Sequence, residues 1–436
     1  MTDDIEVDDP GGSDEGEGHR GFARLLQVLL VATRLGLTSF GGPVAHLGYF
    51  REEYVRRRRW LTDEEYVDLV ALCQFLPGPA SSQVGMGVGL KRAGLPGAFA
   101  AWIGFTAPSA IALILFAYGV SAAAEVLDAG GLAGLKIAAV AVVAWAVWGM
   151  ARTLCPDRPR ITLAVLAACA MLAMSGTLAQ IGVIVAGGVI GWRLLRVPEP
   201  VEKPQVSADG TPASGFAGIG SDGIASGSSG KRVAVAALAV FVVLLVGLPA
   251  LRQSLDNDAL DVADGFYRAG SLVFGGGHVV LPLLQAEVVP PGWVDEATFT
   301  AGYGAAQAVP GPLFTFAGYL GASIASMPAP WVGGSLALGA VFLPSYLLVV
   351  ATLPFWDMVR RHAGFRRALM GINAAVVGLL LAALYDPVWT SAIHSPRDFA
   401  LAVAAFGLLV FWKLPPWLVV VAAAVAGWGL SAVPDI

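Results

Sequence analysis

The chain has 436 residues, of which 56% are hydrophobic and only 14% charged, and its mean hydropathy is +0.69. A soluble domain of this size carries about a quarter charged residues, so a water-soluble enzyme or a nucleic-acid-binding protein is excluded. The net charge of −5 is concentrated: Asp3, Asp4, Glu6, Asp8, Asp9, Asp14, Glu15 and Glu17 all lie in residues 1–21, and the rest of the chain is nearly balanced.

Residues 1–21 are acidic, Gly-rich and poor in large apolar side chains, the composition of a disordered tail. They contain no positive segment leading into an apolar run, so they do not read as a secretory signal. From residue 22 onward, long apolar stretches alternate with short charged clusters. Ala133–Met150, Ile161–Met174, Val233–Ala250, Leu336–Leu353 and Leu401–Trp412 hold at most one charge each. Several approach the ~20 residues that a helix needs to cross a ~30 Å hydrocarbon core. The expected fold is an all-α polytopic membrane protein.

The chain repeats itself. Arg34 through Phe40-Gly41-Gly42-Pro43 aligns with Arg268 through Phe274-Gly275-Gly276-Gly277, and Glu53 then meets Glu287. Further on, Trp60 matches Trp293, Gln74 matches Gln307, and Pro77-Gly78-Pro79 matches Pro310-Gly311-Pro312. Pro108 falls on Pro344, Ala138-Ala139-Val140 on Ala374-Ala375-Val376, and Gly191-Trp192 on Gly427-Trp428. A nearly constant offset across so many positions marks a tandem duplication. The organisation is therefore a first repeat over 22–196, a Pro/Gly/Ser-rich linker over 197–232, a connecting transmembrane helix over 233–251, and a second repeat over 252–436. Six apolar segments per repeat plus the connecting helix make thirteen. An even number followed by one unpaired crossing predicts that the second repeat is upside down.

Basic residues favour the cytoplasmic side of a membrane. With the linker cytoplasmic between Arg193, Arg196, Lys231 and Arg232, the Arg152–Arg160 and Arg360–Arg367 clusters also fall inside, and the acidic Asp256–Asp264 run falls outside. Arg51 and Arg56–Arg59 obey the rule only if the Gly-Gly-Pro and Pro-Gly-Pro segments are re-entrant broken helices. Full crossings are the alternative.

Paired helix breaks at corresponding positions of inverted repeats point to a transport site. A helix that begins at a glycine turn offers free N–H groups and the positive end of its dipole, which suits an anion. The candidate substrate-binding residues are Phe40, Gly41, Gly42, Gln74, Pro77, Gly78, Pro79, Phe274, Gly275, Gly276, Gln307, Pro310, Gly311 and Pro312. Arg34 and Arg268 join them, because repeat symmetry would set the two guanidinium groups face to face to fork a tetrahedral dianion. The competing role for these arginines is pairing with Glu53 and Glu287. His46, Glu53, His278, Glu287 and Asn373 are candidates for coupling. Thr62-Asp63-Glu64-Glu65 reads as a helix-capping box, with Asp295-Glu296 in the same place in the second repeat. Cys73, Cys155 and Cys169 read as small buried residues. Neither a metal nor a cofactor is expected, and no nucleotide-binding or catalytic motif is present, so the energy for transport would come from an ion gradient.

Phe40-Gly-Gly-Pro-Val-Ala-His46, Trp60-Leu-Thr-Asp-Glu-Glu-Tyr66, Leu76-Pro-Gly-Pro79 and Lys91-Arg-Ala-Gly94 resemble the first half of the chromate ion transporter family. Phe274-Gly-Gly-Gly-His-Val-Val-Leu-Pro282, Gln307 through Thr315 and Phe342-Leu-Pro-Ser345 resemble its second half. The resemblance implies a long-chain, two-domain member in the cell (inner) membrane, exporting chromate and conferring resistance to it. Uptake or exchange of sulfate or another dianion is the alternative, and a membrane-embedded enzyme or oxyanion sensor is a third reading. The expected partners are the oxyanion, the bilayer and a coupling ion (a proton or a counter-anion); homodimerisation is left open.

Overall fold

The computed structural model describes residues 13–40, 42–122, 129–174, 176–196, 228–274, 277–356 and 362–431, and every regular element among them is helical. The first repeat supplies α1 (Ser13–Thr38), α2 (Gly42–Phe50), α3 (Asp63–Phe75), α4 (Ala80–Ala122), α5 (Ala129–Leu154), α6 (Arg158–Ala173) and α7 (Thr177–Leu194). Helix α8 (Ser228–Ser254) connects the repeats. The second repeat supplies α9 (Asp258–Leu272), α10 (Val280–Val288), α11 (Glu296–Ala308), α12 (Phe316–Ser323), α13 (Pro330–Thr352), α14 (Ala363–Ala383), α15 (Pro396–Val410) and α16 (Pro416–Ser431). Residues 13–21, read as tail, are helical as the start of α1, and the connecting helix extends beyond 233–251 at both ends. The 1–12 segment, the loop at 125–128, most of the linker, Arg360 and Arg361 lie outside the described residues.

Local chemistry sets these boundaries. The predicted capping box is present: the Thr62 hydroxyl accepts from the Glu65 amide at 3.2 Å, and the Glu65 carboxylate accepts from the Thr62 amide at 2.9 Å. Asp295 caps α11 by accepting from the Thr298 amide at 2.9 Å. Helix α4 is too long to be one span and is not one: Gly94 has φ +65° and Ala93 is non-helical, so arms 80–92 and 95–122 fold into a hairpin. Gly89 and Gly97 face each other across that hairpin at a distance that leaves no room for a side chain. Helices α12 and α13 repeat the arrangement, with Gly321 against Gly333.

The broken segments are re-entrant. Lys91, at the end of the 80–92 arm, binds Glu65 at the start of α3 at 2.5 Å, so the Pro-Gly-Pro segment goes in and comes back on one side. In the second repeat the Tyr319 hydroxyl donates to the Thr298 carbonyl at 3.2 Å, closing the same hairpin between α12 and α11. The segments after the glycine turns also double back, as Glu287 lies against Gly265 and pairs with Arg268.

Helix α8 reports the inversion. Its N-terminal half packs on Leu90 and Leu95 of the first repeat, beside the Lys91–Glu65 pair. At its other end Arg252 pairs with Asp261 and Asp264, in the cluster that holds Arg268 and Glu287. Trp60, which Arg58 and Arg92 both cover, joins the two hairpin bases of the first repeat on one side. Hairpin bases of the two repeats therefore sit at opposite ends of a 27-residue helix, which spans about 40 Å.

The repeats are interlocked. Helix α7 packs on α14 and α16 packs on α5, while α6 and α15 make the corresponding exchange. Cys73 and Cys155 are buried, whereas Cys169 lies on an exposed face of α6 rather than in the core.

The α7–α14 contact depends on Gly187 and Gly371, where a Cβ on either would collide with the partner backbone. Gly371→Leu is expected to lower stability by at least about 1–3 kcal/mol, measured as thermal unfolding of the detergent-solubilised protein. Gly149→Leu is expected to leave it unchanged, since nothing lies within 4 Å of an added Cβ there.

Candidate functional site

The breaks of the two repeats meet each other. The Gly78 amide of the first Pro-Gly-Pro turn donates to the carbonyl of Val273, the residue before Phe274, at 2.6 Å. The Gly311 amide of the second donates to the carbonyl of Ser39, the residue before Phe40, at 2.9 Å. Each repeat thus satisfies the interrupted backbone of the other, and both glycines use positive φ (121° and 96°) to do so.

Within a repeat the two breaks are also adjacent. His46 in α2 lies 3.4 Å from the Ser81 hydroxyl at the start of α4. In the second repeat the 3-10 turn Gly277–Val279, which leads into α10, touches the turn Leu313–Thr315, which leads into α12. The starts of α2, α4, α10 and α12 therefore converge. In the second repeat each helix is entered through its 3-10 turn, and the turn before α12 already satisfies the Thr315 and Phe316 amides, so there the unsatisfied N–H groups are those of the turns. Each end carries a positive dipole equivalent to about half a charge.

The predicted residues are placed as follows. Pro77, Gly78 and Pro79 and their counterparts Pro310, Gly311 and Pro312 form the two turns at the junction. Gly42 opens α2; Gly41, Gly275 and Gly276 lie outside the described residues. Phe40 is half-buried against Trp417 of α16, with ring centroids 5.7 Å apart, and Phe274 packs on the main core. Gln74 is exposed, whereas Gln307 carries a buried side-chain NH2 without a partner. His278 approaches the Tyr303 hydroxyl at 2.8 Å, so each histidine ties a post-glycine segment to its hairpin, although the two are out of register in sequence. Asn373 is half-buried in α14.

The arginines differ from the face-to-face expectation. Arg34 lies 3.8 Å from Glu53, which Arg57 and Arg58 also hold at 2.9 and 2.7 Å. Arg268 grips Glu287 with two bonds, of 3.1 and 3.0 Å, and Asp264 with a third of 2.8 Å. Both arginines are thus engaged by carboxylates at the hairpin bases, which inversion carries to opposite ends of the molecule. The two bases are also opposite in balance: three arginines surround one carboxylate in the first repeat, and three carboxylates surround Arg252 and Arg268 in the second. Burial acts to raise the Glu53 carboxyl, but the Arg58 hydrogen bond and the charges of Arg57, Arg58 and Arg34 outweigh it, so its pKa is below the usual carboxylate value.

The sequence reading missed a set of buried polar side chains. Ser39, Ser82, Thr106 and Ser345 are at most 3% exposed, and their hydroxyls have no partner. Ser345 Oγ occupies the space a side chain on Gly78 would need, and Ser109, its repeat counterpart, lies in the same way against Gly311. The signal was available, because the matched Pro108 and Pro344 are each followed by serine.

A multi-pass helical membrane protein with broken helices from two inverted repeats meeting at one point has the architecture of a membrane transporter. The family model described as Chromate transporter matches residues 26–192 and 260–428, one copy per repeat. The chain belongs to this family. It is 24% identical over 413 residues to a chromate transport protein of Cupriavidus metallidurans, covering 92% of each chain. It is 27% identical over 422 residues to one from Pseudomonas aeruginosa, covering 93% of this chain and 91% of that one. An uncharacterised transporter of Methanocaldococcus jannaschii is 24% identical over 370 residues, with 82% of this chain and 83% of that one covered. No solved structure matches the chain significantly.

The two ion-pair clusters predict unequal costs. Arg268→Ala would leave Glu287 and Asp264 buried with one fewer cation, and should cost about 3 kcal/mol. Arg34→Ala should cost under about 1 kcal/mol, because Arg34 is 55% exposed and Glu53 keeps two other arginines. Thermal unfolding of the two purified variants tests the difference.

Proposed function

We propose that the chain is a secondary active transporter that exports a tetrahedral oxyanion of the chromate type, and that chromate resistance follows from this. The observation that carries the reading is the convergence of four helix N-termini at reciprocally bonded breaks, since such ends attract anions. The naming of two relatives as chromate transport proteins supports chromate as the substrate.

Orientation follows from charge. The basic flanks of the linker and the arginine-rich base around Glu53 favour the cytoplasmic side of the inner membrane. The excess of arginine there would raise the local anion concentration at the entry face. Rocking of the hairpins about the junction would open it alternately to each side. The gradient of a proton or of a counter-anion would drive the cycle. His46 and His278 are the titratable groups that bridge the moving segments.

Purified protein in proteoliposomes provides the test. Labelled chromate should move from the linker side to the opposite side and respond to an imposed pH or counter-anion gradient, with sulfate competing. Flux of sulfate alone, or net uptake, would replace the export reading with the carrier alternative. Absence of any oxyanion flux would overturn transport by this junction.

A further inference from the structure

The arginines that a dianion site would be expected to use are already committed to carboxylates at the hairpin bases. What the junction offers instead is uncharged. Ser39 precedes the first break and is wholly buried. Ser82 lies in the first turn of α4 and is 2% exposed. Ser345 is wholly buried on Gly78, and Thr106, 3% exposed, lies one turn before Ser109. None of their hydroxyls has a partner, nor has the side-chain NH2 of Gln307. A buried hydroxyl without a hydrogen bond is costly, and a native protein rarely keeps several without a use for them.

The repeat counterpart sharpens the point. Ser109 Oγ donates to the Thr106 carbonyl at 3.1 Å, the usual resting place for a serine in a membrane helix. Ser345 stands at the equivalent position and makes no such bond. Its hydroxyl is held instead against the Pro-Gly-Pro turn that leads into the N-terminus of α4.

We propose, resting on the transport reading above, that the oxyanion is recognised by a neutral donor set and not by arginine. Ser345 is the principal specificity-determining side chain, supported by Ser39, Ser82, Thr106 and the Gln307 amide. Hydroxyl and amide donors satisfy the oxygens of a tetrahedral dianion, and the helix N-termini supply the compensating partial charge. Such a site avoids holding a buried cation when the substrate has left. It also discriminates by the placement of hydrogen bonds, which separates oxyanions of equal charge by size and acceptor geometry.

Ser345→Ala in the full-length protein tests this with two readouts in chromate and in sulfate. The KM for the transported oxyanion should rise about tenfold or more, the loss expected for one hydrogen bond to a charged ligand, while kcat changes by only a few-fold. Without substrate, thermal stability should stay level or rise, since an unpartnered buried hydroxyl has been removed. The stabilisation that chromate confers on the wild type should shrink. A merely structural serine gives the opposite pattern: lower stability without substrate and an unchanged KM. That result, or a variant that behaves as wild type, overturns the proposal. If S345A does not fold, Ser39→Ala read the same way decides it. Wild-type protein with neither flux nor chromate-induced stabilisation overturns the transport reading itself, and this one with it.

Discussion

A backbone interrupted at membrane depth must find partners for its freed amides and carbonyls inside the protein, because lipid provides none. Here the partners are reciprocal. The Gly78 amide closes on the Val273 carbonyl and the Gly311 amide on the Ser39 carbonyl, so neither repeat can keep its break without the other. The remaining architecture follows from that exchange. The hairpins must be re-entrant to bring both turns to one point, the repeats must be inverted to make the bonds mutual, and the first turns of four helices are left facing a common centre.

Symmetry at the centre gives way to asymmetry at the ends. Both repeats place an arginine and a glutamate at the base of the first hairpin, yet the surroundings reverse the balance, with Arg57 and Arg58 added on one side and Asp261 and Asp264 on the other. Two copies of one motif are thus adapted to two different aqueous faces. The pairs keep their long side chains occupied and fix the hairpin bases, and the middle of the protein is left to neutral chemistry.

Much of this was legible in the sequence because glycine and proline record backbone geometry directly. Phe40-Gly-Gly-Pro, Pro77-Gly-Pro and their copies marked the breaks, and the arginines at 51 and 56–59 favoured a returning segment while leaving a crossing one open. Less visible was which turn would meet which. The bonds cross between repeats, and no local pattern encodes a contact between Gly78 and Val273. Arg34 and Arg268 were misplaced for a related reason. Repeat symmetry shows that two residues are equivalent, but their separation depends on how far each lies from the axis. The serines were overlooked because hydroxyl residues are common in membrane helices, and only burial without a partner sets Ser345 apart from Ser109.

The interlocked C-terminal helices carry a consequence for synthesis. Helices α6 and α7 emerge early, but the surface they cover belongs to α14, and α5 waits for α15 and α16. The first repeat must therefore enter the bilayer with its packing surfaces against lipid and hold that state until the last helices arrive. Such late, long-range closure slows folding. It also leaves the close-packed face around Gly187 unburied until α14 brings Gly371 to it, so a chain cut short before α14 would remain an inserted but unassembled set of helices.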